Sequence, residues 1–303
     1  MNKYIKSGPL FFFLPIAVMP NFVIEFVGSA IGTFFYLLIG KRRRTAVLNA
    51  CFVTRSRLDK KSAKKVAKKS FENFATNILY NIKFYFHSDN YLKKYITVEN
   101  SRHKLANLDG GIALFAHLGN WELIPLIIRL INVKGAAVYR PMDNDFIDRI
   151  VKTIRKRGKI ALIPKRGAVS KSIELLKEGF FVGIDGDQNV AKKEGIEVDF
   201  LGVKAYTPKL PSILAIRGRK KIYPIFLISE GNGRYRFIVE KEISAPEDVG
   251  NSQAMKIVTE KINQVVGKYV TRYPDQWLLM HRRWKNREDE LKTIIENAAS
   301  EKR

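Results

Sequence analysis

The sequence predicts an α/β domain with a mixed, largely parallel central sheet flanked by helices, preceded by a hydrophobic N-terminal segment. Between residues 111 and 228 short apolar runs alternate with stretches of helical periodicity, the order that builds a parallel sheet from strand, helix and strand units. Gly231-Asn232-Gly233 lies between two apolar runs and adds an antiparallel hairpin, which makes the sheet mixed. Residues 9 to 40 are the most apolar part of the chain and stop at Lys41-Arg42-Arg43-Arg44.

That apolar part comes first in the chain. Phe22 to Gly40 as a helix would reach about 28 Å at roughly 1.5 Å per residue, close to the depth of a bilayer core. Leu10 to Met19 is a shorter apolar piece set off by Pro20-Asn21, so a tilted single span and a re-entrant or interfacial hairpin are both open. Only Lys3 and Lys6 precede the segment, and the excess of cations behind it leaves the long C-terminal part in the cytoplasm under either topology. The apolar run continues past the small residues Gly28-Ser29-Ala30, which argues against a cleaved signal peptide. The chain thus divides into an N-terminal membrane anchor with its basic flank over 1–44 and an α/β domain over 45–303.

From Asp59 onward Ala63, Val66, Ala67, Phe71, Phe74, Ala75, Ile78 and Leu79 recur at helical spacing. The opposite face carries Lys60, Lys61, Lys64, Lys65, Lys68 and Lys69, either a solvated face or a contact for acidic headgroups or an acidic carrier. Ser101 to Leu108 reads as a short helix leading through Asp109-Gly110-Gly111 into the central strand. Ala136–Tyr139, Ile160–Ile163, Phe180–Ile184 and Ile222–Ile228 read as strands, and Asn144–Arg157, Ala168–Lys177, Pro208–Arg217 and Asn251–Tyr269 as helices. The tail after Trp284 reads as helical and solvated.

Gly111 to Leu130 organises the rest. The apolar run Ile112–Ala116 breaks at His117-Leu118-Gly119-Asn120-Trp121-Glu122 and resumes as a helical pattern, giving strand, tight turn, helix. Gly119 lets the backbone bend, Asn120 is a fitting N-cap, and Glu122 falls in the first helical turn, where the helix dipole favours a carboxylate. The five-residue offset, spent on a bend, lets Glu122 approach the His117 imidazole, fix its tautomer and stabilise the imidazolium: the equipment of a general base.

Other functional groups sit at the ends of neighbouring strands, where ligands bind in open α/β sheets. They are Arg140-Pro141, Pro164-Lys165-Arg166-Gly167 and Asp185-Gly186-Asp187-Gln188. Together they describe a crevice with a base, two guanidiniums suited to phosphate or carboxylate, and a carboxylate-amide pair.

At 303 residues and 46% hydrophobic content the chain can bury a full core. Lys and Arg number 54 against 29 Asp and Glu, a net charge of +25 that attracts polyanions. No helix-turn-helix, zinc finger or aromatic RNA-binding signature accompanies the charge, which argues against nucleic acid and for a lipid surface or acidic carrier. The single cysteine, Cys51, excludes an internal disulfide framework and offers no cysteine cluster for zinc.

The motifs AHLGNWE, VYRP, the Asp187-Gln188 pair, VDFLG followed by Ala205-Tyr206-Thr207, and YPDQWLLMHRRW resemble those of the bacterial lipid A biosynthesis acyltransferases, the late enzymes that acylate Kdo-lipid A. The resemblance runs over nearly the whole chain, from the anchor through the arginine-rich stretch ending in Asn49 to the HRRW block. His117 and Glu122 match the family's H-x-x-x-x-D/E signature, which glycerol-phosphate acyltransferases share. The F-P-E-G-x-R-like block of that glycerolipid branch has its nearest equivalent in Ile163-Pro164-Lys165-Arg166-Gly167, which lacks the Glu.

The resemblance implies a glycerolipid-acyltransferase-like fold and an O-acyltransferase of the bacterial inner membrane, with its catalytic domain on the cytoplasmic face. Acyl carrier protein would be the donor, a lipid A precursor the acceptor, and anionic inner-membrane lipids a third partner. No metal or redox cofactor is implied. His117 and Glu122 would be catalytic, Arg140 and Arg166 would contact phosphate, Asp187 and Gln188 would orient the acceptor or the active-site loop, and Arg283, with Arg282 in the HRRW block, would either contact substrate or hold structure. The same scaffold acting on another glycolipid or a lysophospholipid is the alternative within enzymes. A non-catalytic basic membrane-associated binding protein is the alternative outside them. Because donor, acceptor and membrane are all anionic, transfer activity should fall as ionic strength rises, measured as initial rate against salt; salt-insensitive turnover on a soluble acceptor would count against electrostatic recruitment.

Overall fold

The computed structural model of the chain describes residues 13–54, 59–98, 105, 107–139, 141 and 144–300. Helices α1 (Leu14–Val18), α2 (Asn21–Leu38), α3 (Gly40–Thr54), α4 (Lys60–Phe86) and α5 (Asp89–Lys93) come first, followed by the short strand β1 (Ile96–Thr97). Strand β2 (Gly111–Phe115) then leads into α6 (Ile124–Leu130), β3 (Gly135–Tyr139), α7 (Asp145–Arg157), β4 (Ala161–Pro164), α8 (Ala168–Lys177) and β5 (Phe181–Asp185). An antiparallel pair, β6 (Gly195–Phe200) and β7 (Val203–Pro208), precedes α9 (Leu210–Arg217). The hairpin β8 (Ile222–Gly231) and β9 (Arg234–Val239), then α10 (Asn251–Arg272) and α11 (Glu288–Ser300), complete the chain.

The main sheet runs β1-β9-β8-β2-β5-β3-β4. All neighbours are parallel except β8 and β9, which are joined by the Gly-Asn-Gly turn. The expected mixed, largely parallel sheet is therefore the one observed. Each expected strand and helix from Ala136 onward is present, with ends shifted by one to three residues, and α8 has the expected bounds. The helix expected over Ser101–Leu108 falls largely outside the described residues. The β6–β7 hairpin was not anticipated; its turn uses Leu201 and Gly202, both at positive φ. The C-terminal tail is helical but not wholly solvated, since Leu291 is buried in the main core.

Buried β2 separates two cores. Ile112 and Leu114 point into one, with Phe52, Phe71, Val258 and Trp277. Ala113 points into the other, with Tyr80, Phe84 and Leu126. This two-face burial explains why β2 reads as a continuous apolar run rather than an alternating one.

Helix α4 is the spine between α2 and the sheet. Asp59 caps it by accepting the Ser62 N–H at 2.6 Å. Ala63, Ala67, Phe71 and Ala75 face inward, and the lysines face out as the periodicity predicts. Helix α2 lies antiparallel along α4. A Cβ on Gly28 would stand 2.6 Å from Thr76 Cα, and one on Gly32 would stand 2.4 Å from Glu72 Cα, so only glycine permits this approach. Gly32→Leu should lower stability by roughly 1–3 kcal/mol or more through overpacking. Gly40→Ala, where an added Cβ meets nothing within 4 Å, should leave it nearly unchanged. Thermal unfolding of both variants in the same detergent checks the contrast.

Candidate active site

The register of β2 with β5 builds the centre of the site. Phe115 pairs with Asp185 across the two parallel strands, so the residues two positions beyond each, His117 and Asp187, emerge side by side at their carboxyl ends. The His117 Nδ1–H donates to Asp187 Oδ1 at 2.8 Å, and the His117 backbone N–H donates to Asp187 Oδ2 at 3.0 Å. Trp277 Nε1–H completes the cradle by donating to Oδ2 at 2.8 Å. When the ring is neutral and Nδ1 carries its proton, Nε2 is the free basic nitrogen.

The turn after β2 is fixed from three sides. Gly119 sits at φ +65°, and a Cβ there would lie 1.9 Å from the Leu227 carbonyl oxygen. Its N–H donates to Gln276 O at 3.0 Å, Asn120 N–H to Leu227 O at 2.9 Å, and Leu278 N–H to His117 O at 2.9 Å. Asn77 of α4 donates to the Gly119 carbonyl at 2.9 Å and in turn accepts from the Tyr235 hydroxyl at 2.9 Å. The expected cap is corrected here: Asn120 is buried and its side chain makes no capping bond. The helix begins instead with a single tighter turn, Trp121–Leu123.

Glu122 also differs from expectation. Its carboxylate is not hydrogen-bonded to His117; it is held by Arg155 of α7, with Nε at 3.1 Å and Nη2 at 2.7 Å, a two-point pair. The carboxylate that fixes the imidazole is Asp187, because strand register brings it within reach while the turn swings Glu122 toward α7. Glu122 and Arg155 line one cavity with His117, and Glu122 acts on the ring through its charge alone.

Electrostatics follow from this placement. Burial alone would lower the His117 pKa, but the Asp187 charge and hydrogen bond, with smaller help from Asp185 and Glu122, push it up to about 9. Burial likewise opposes ionisation of Asp187, yet His117 and the Trp277 donor hold it well below the usual carboxylate range. The dyad is an ion pair at neutral pH. Asp185, which accepts no side-chain hydrogen bond among the described residues, is pushed up by burial against the counteracting His117 charge.

Gln188 Nε2 lies 2.9 Å from His117 Nε2 and 3.2 Å from Nδ1. An atom so placed in the ring plane would overlap Cε1, so the amide rests over the ring face. Behind these groups opens a cavity of about 830 Å³ walled by Phe74, Ile78, Val138, Ile154 and Phe181 among other apolar side chains. Its polar groups are concentrated around His117, Glu122, Arg155, Asp185 and Gln188. His117, Asp185 and Asp187 also bring one ligand atom each within 4.8 Å of one another. Asp187 already accepts three donors there, so a cation would have to displace the dyad's own hydrogen bonds.

An apolar chamber lined by a carboxylate-supported imidazole suits transfer of an apolar acyl group, and comparison with known proteins decides the family. The model of the bacterial lipid A biosynthesis acyltransferases matches residues 2–286. The chain belongs to that family. A lipid A biosynthesis acyltransferase of Haemophilus influenzae is 24% identical over 282 residues, covering 91% of this chain and 88% of the relative. The lipid A biosynthesis lauroyltransferase of Escherichia coli is 25% identical over 281 residues, covering 90% and 88%. The palmitoleoyltransferase of the same organism is 23% identical over 277 residues, covering 89% and 87%. The protein is thus an O-acyltransferase of the lipid A type.

The other expected contacts of this acyltransferase separate by position. Arg140 lies outside the described residues. Arg166 is exposed in the turn after β4, the edge strand, and does not line the cavity. Arg283 sits as the structural alternative for the HRRW block expects. It is fully buried, donating to Tyr206 O at 2.9 Å and Thr207 Oγ1 at 2.6 Å and stacking over Phe200. Arg155 and Trp277 were missed. A lone arginine in the apolar stripe of Ile150, Val151 and Ile154 on α7 was the available signal for the first.

A neutral His117 is required to accept a proton, and its pKa is raised in the folded enzyme, so activity should climb with pH toward about 9. Asp187→Asn removes the charge that raises it, so the limb should move to lower pH while the plateau falls by roughly 10²–10⁴-fold. A pH profile of kcat/KM for both proteins tests this, and a limb that stays in place in the variant would contradict the dyad.

Proposed function

We propose that this acyltransferase moves a fatty acyl chain from the thioester of acyl carrier protein to a hydroxyl of a Kdo-lipid A precursor, at the cytoplasmic face of the inner membrane. The observation that carries it is the His117–Asp187 pair, with His117 lining the 830 Å³ apolar cavity. The acyl chain fills the cavity and its thioester carbonyl rests at His117. His117 Nε2 takes the proton of the acceptor hydroxyl as the oxygen attacks, and Asp187 stabilises the imidazolium without itself becoming protonated.

The new C–O bond forms, the tetrahedral intermediate collapses, and the C–S bond breaks. The proton on Nε2 then passes to the leaving thiolate, so no acyl-enzyme is needed. The Gln188 amide, already beside the ring nitrogens, supplies a donor for the oxyanion. Glu122 and Arg155 work as a unit: the carboxylate adds to the field at His117 and keeps the guanidinium in the cavity wall. A net charge of +25 recruits the anionic carrier, the lipid A phosphates and the anionic leaflet.

The test is acyl transfer with purified protein, acyl carrier protein loaded with several chain lengths, and Kdo-lipid A precursor. His117→Ala should lose roughly 10²–10⁴-fold in kcat. Glu122→Ala should also collapse, and adding Arg155→Ala to it should cost less than the sum of the two singles, as expected for paired charges. Transfer by His117→Ala at the wild-type rate, or none by folded wild-type protein with any donor, would overturn the proposal.

A further inference from the structure

We propose that α2 does not cross the bilayer but lies along one leaflet, its outward apolar strip sunk at the headgroup boundary and a belt of cations beside its C-terminal end. The lipid partner rests on the membrane location proposed above; the orientation rests on packing alone.

By length and composition α2 could span a membrane. Its attachment to α4 argues otherwise. Asn21 Oδ1 accepts from Lys83 Nζ at 2.8 Å, and Glu25 accepts from the Tyr80 hydroxyl at 3.1 Å. Gly28 lies on Thr76, and Thr33 donates to Glu72 at 3.0 Å. Ile24, between these contacts, is fully buried in a core shared with Tyr80 and Phe84. These contacts run the length of α2, so wherever it goes α4 goes with it.

A transmembrane α2 would therefore carry Glu72, with its partners Lys68 and Lys69, and Lys83 to bilayer depth, and behind them the sheet. Each charged residue at the centre of a bilayer costs at least roughly 2.5–3.5 kcal/mol. Peeling α2 away would instead open the Ile24 core and unpair Lys83. Neither is needed if the helix lies flat, where about 27 Å of amphipathic surface meets lipid along its length.

The outward face fits that role. Phe22, Phe26, Phe34, Leu37 and Leu38 are each more than half exposed; helical spacing puts Phe22, Phe26 and Leu37 opposite Ile24, Gly28 and Gly32, with Phe34 on the flank and Leu38 at the helix end. Antiparallel packing sets the lysine half of α4, Lys60 to Lys69, near the end of α2 where Lys41-Arg42-Arg43-Arg44 follow. An apolar strip edged by cations is the chemistry of an anionic lipid surface. Phe13 and Ile16, just ahead of α2, line the catalytic cavity, so the segment that leads onto the membrane is also cavity wall.

Labelling in cells decides the orientation. In a Cys51→Ser background of the full chain, Asn2→Cys and Lys302→Cys are exposed separately to a membrane-impermeant maleimide, before and after the inner membrane is opened. Both positions should react only after opening. Reaction at Asn2→Cys in intact spheroplasts, with Lys302→Cys protected, would establish a span and overturn the inference. Sedimentation with phosphatidylethanolamine and phosphatidylglycerol vesicles supplies the second readout. Phe26→Ser, Phe34→Ser and Leu38→Ser combined should weaken binding more than about tenfold, with melting temperature unchanged. Wild-type binding by that folded variant would also overturn it, whereas a wild-type chain that fails to sediment would defeat the membrane location itself.

Discussion

The hydrogen bond from His117 Nδ1 to Asp187 depends on one register, Phe115 opposite Asp185 in the β2–β5 pair. A slip of one residue would turn each side chain to the other face and part the dyad. Much of the surrounding structure keeps that register honest. Gly110 and Gly119, both at positive φ, bound the strand and its turn, and the Gln276-Trp277-Leu278 segment ties to His117, Gly119 and Asp187 at once. Arg283 then holds the chain beyond Asp187 by bonding β7 residues and stacking on Phe200, while His281 Nε2 accepts the Asn189 N–H. Burial keeps His281 neutral, with its pKa lowered to about 4, which suits an acceptor. The C-terminal HRRW block is thus scaffold for the loop after β5.

Fold class and the succession of elements along the chain were largely legible because apolar runs and helical stripes are local. The pairings among the candidate site residues were not legible. His117, Asp187, Gln188 and Glu122 were all named, yet the ring was assigned to Glu122, five residues away in sequence, and its partner turned out to be Asp187, seventy residues away. Sequence offset says how far two residues can be apart, whereas register between non-consecutive strands decides which meet. Arg283 was open for a related reason: an arginine in a motif can meet a ligand or the protein itself, and only packing shows that Tyr206 O and Thr207 Oγ1 take its donors. The β6–β7 hairpin escaped because its turn, Leu201-Gly202, lacks the usual Asn-Gly or Asp-Gly signal.

Glu122 is tied to α7 and not to the imidazole. A carboxylate paired two-point with Arg155 cannot swing to the ring without leaving a guanidinium unpaired in the cavity wall. The signature residue and α7 are therefore mechanically linked. Since α7 also walls the cavity through Ile150 and Ile154, the spacing between His117 and Glu122 couples the base to the shape of the apolar chamber.

A base with a pKa near 9 is mostly protonated at neutral pH, which looks unfavourable for accepting a proton. Opposed forces at the site set that value. Burial is the largest influence on His117 and acts against the imidazolium; the ion pair with Asp187 overrides it while the ring keeps 17% of its surface exposed. In the proposed reaction an acyl chain in the cavity would remove water from that remaining edge, which strengthens both the burial penalty and the attraction to Asp187. The strong proton affinity that Asp187 confers would then serve the proposed step in which the hydroxyl attacks.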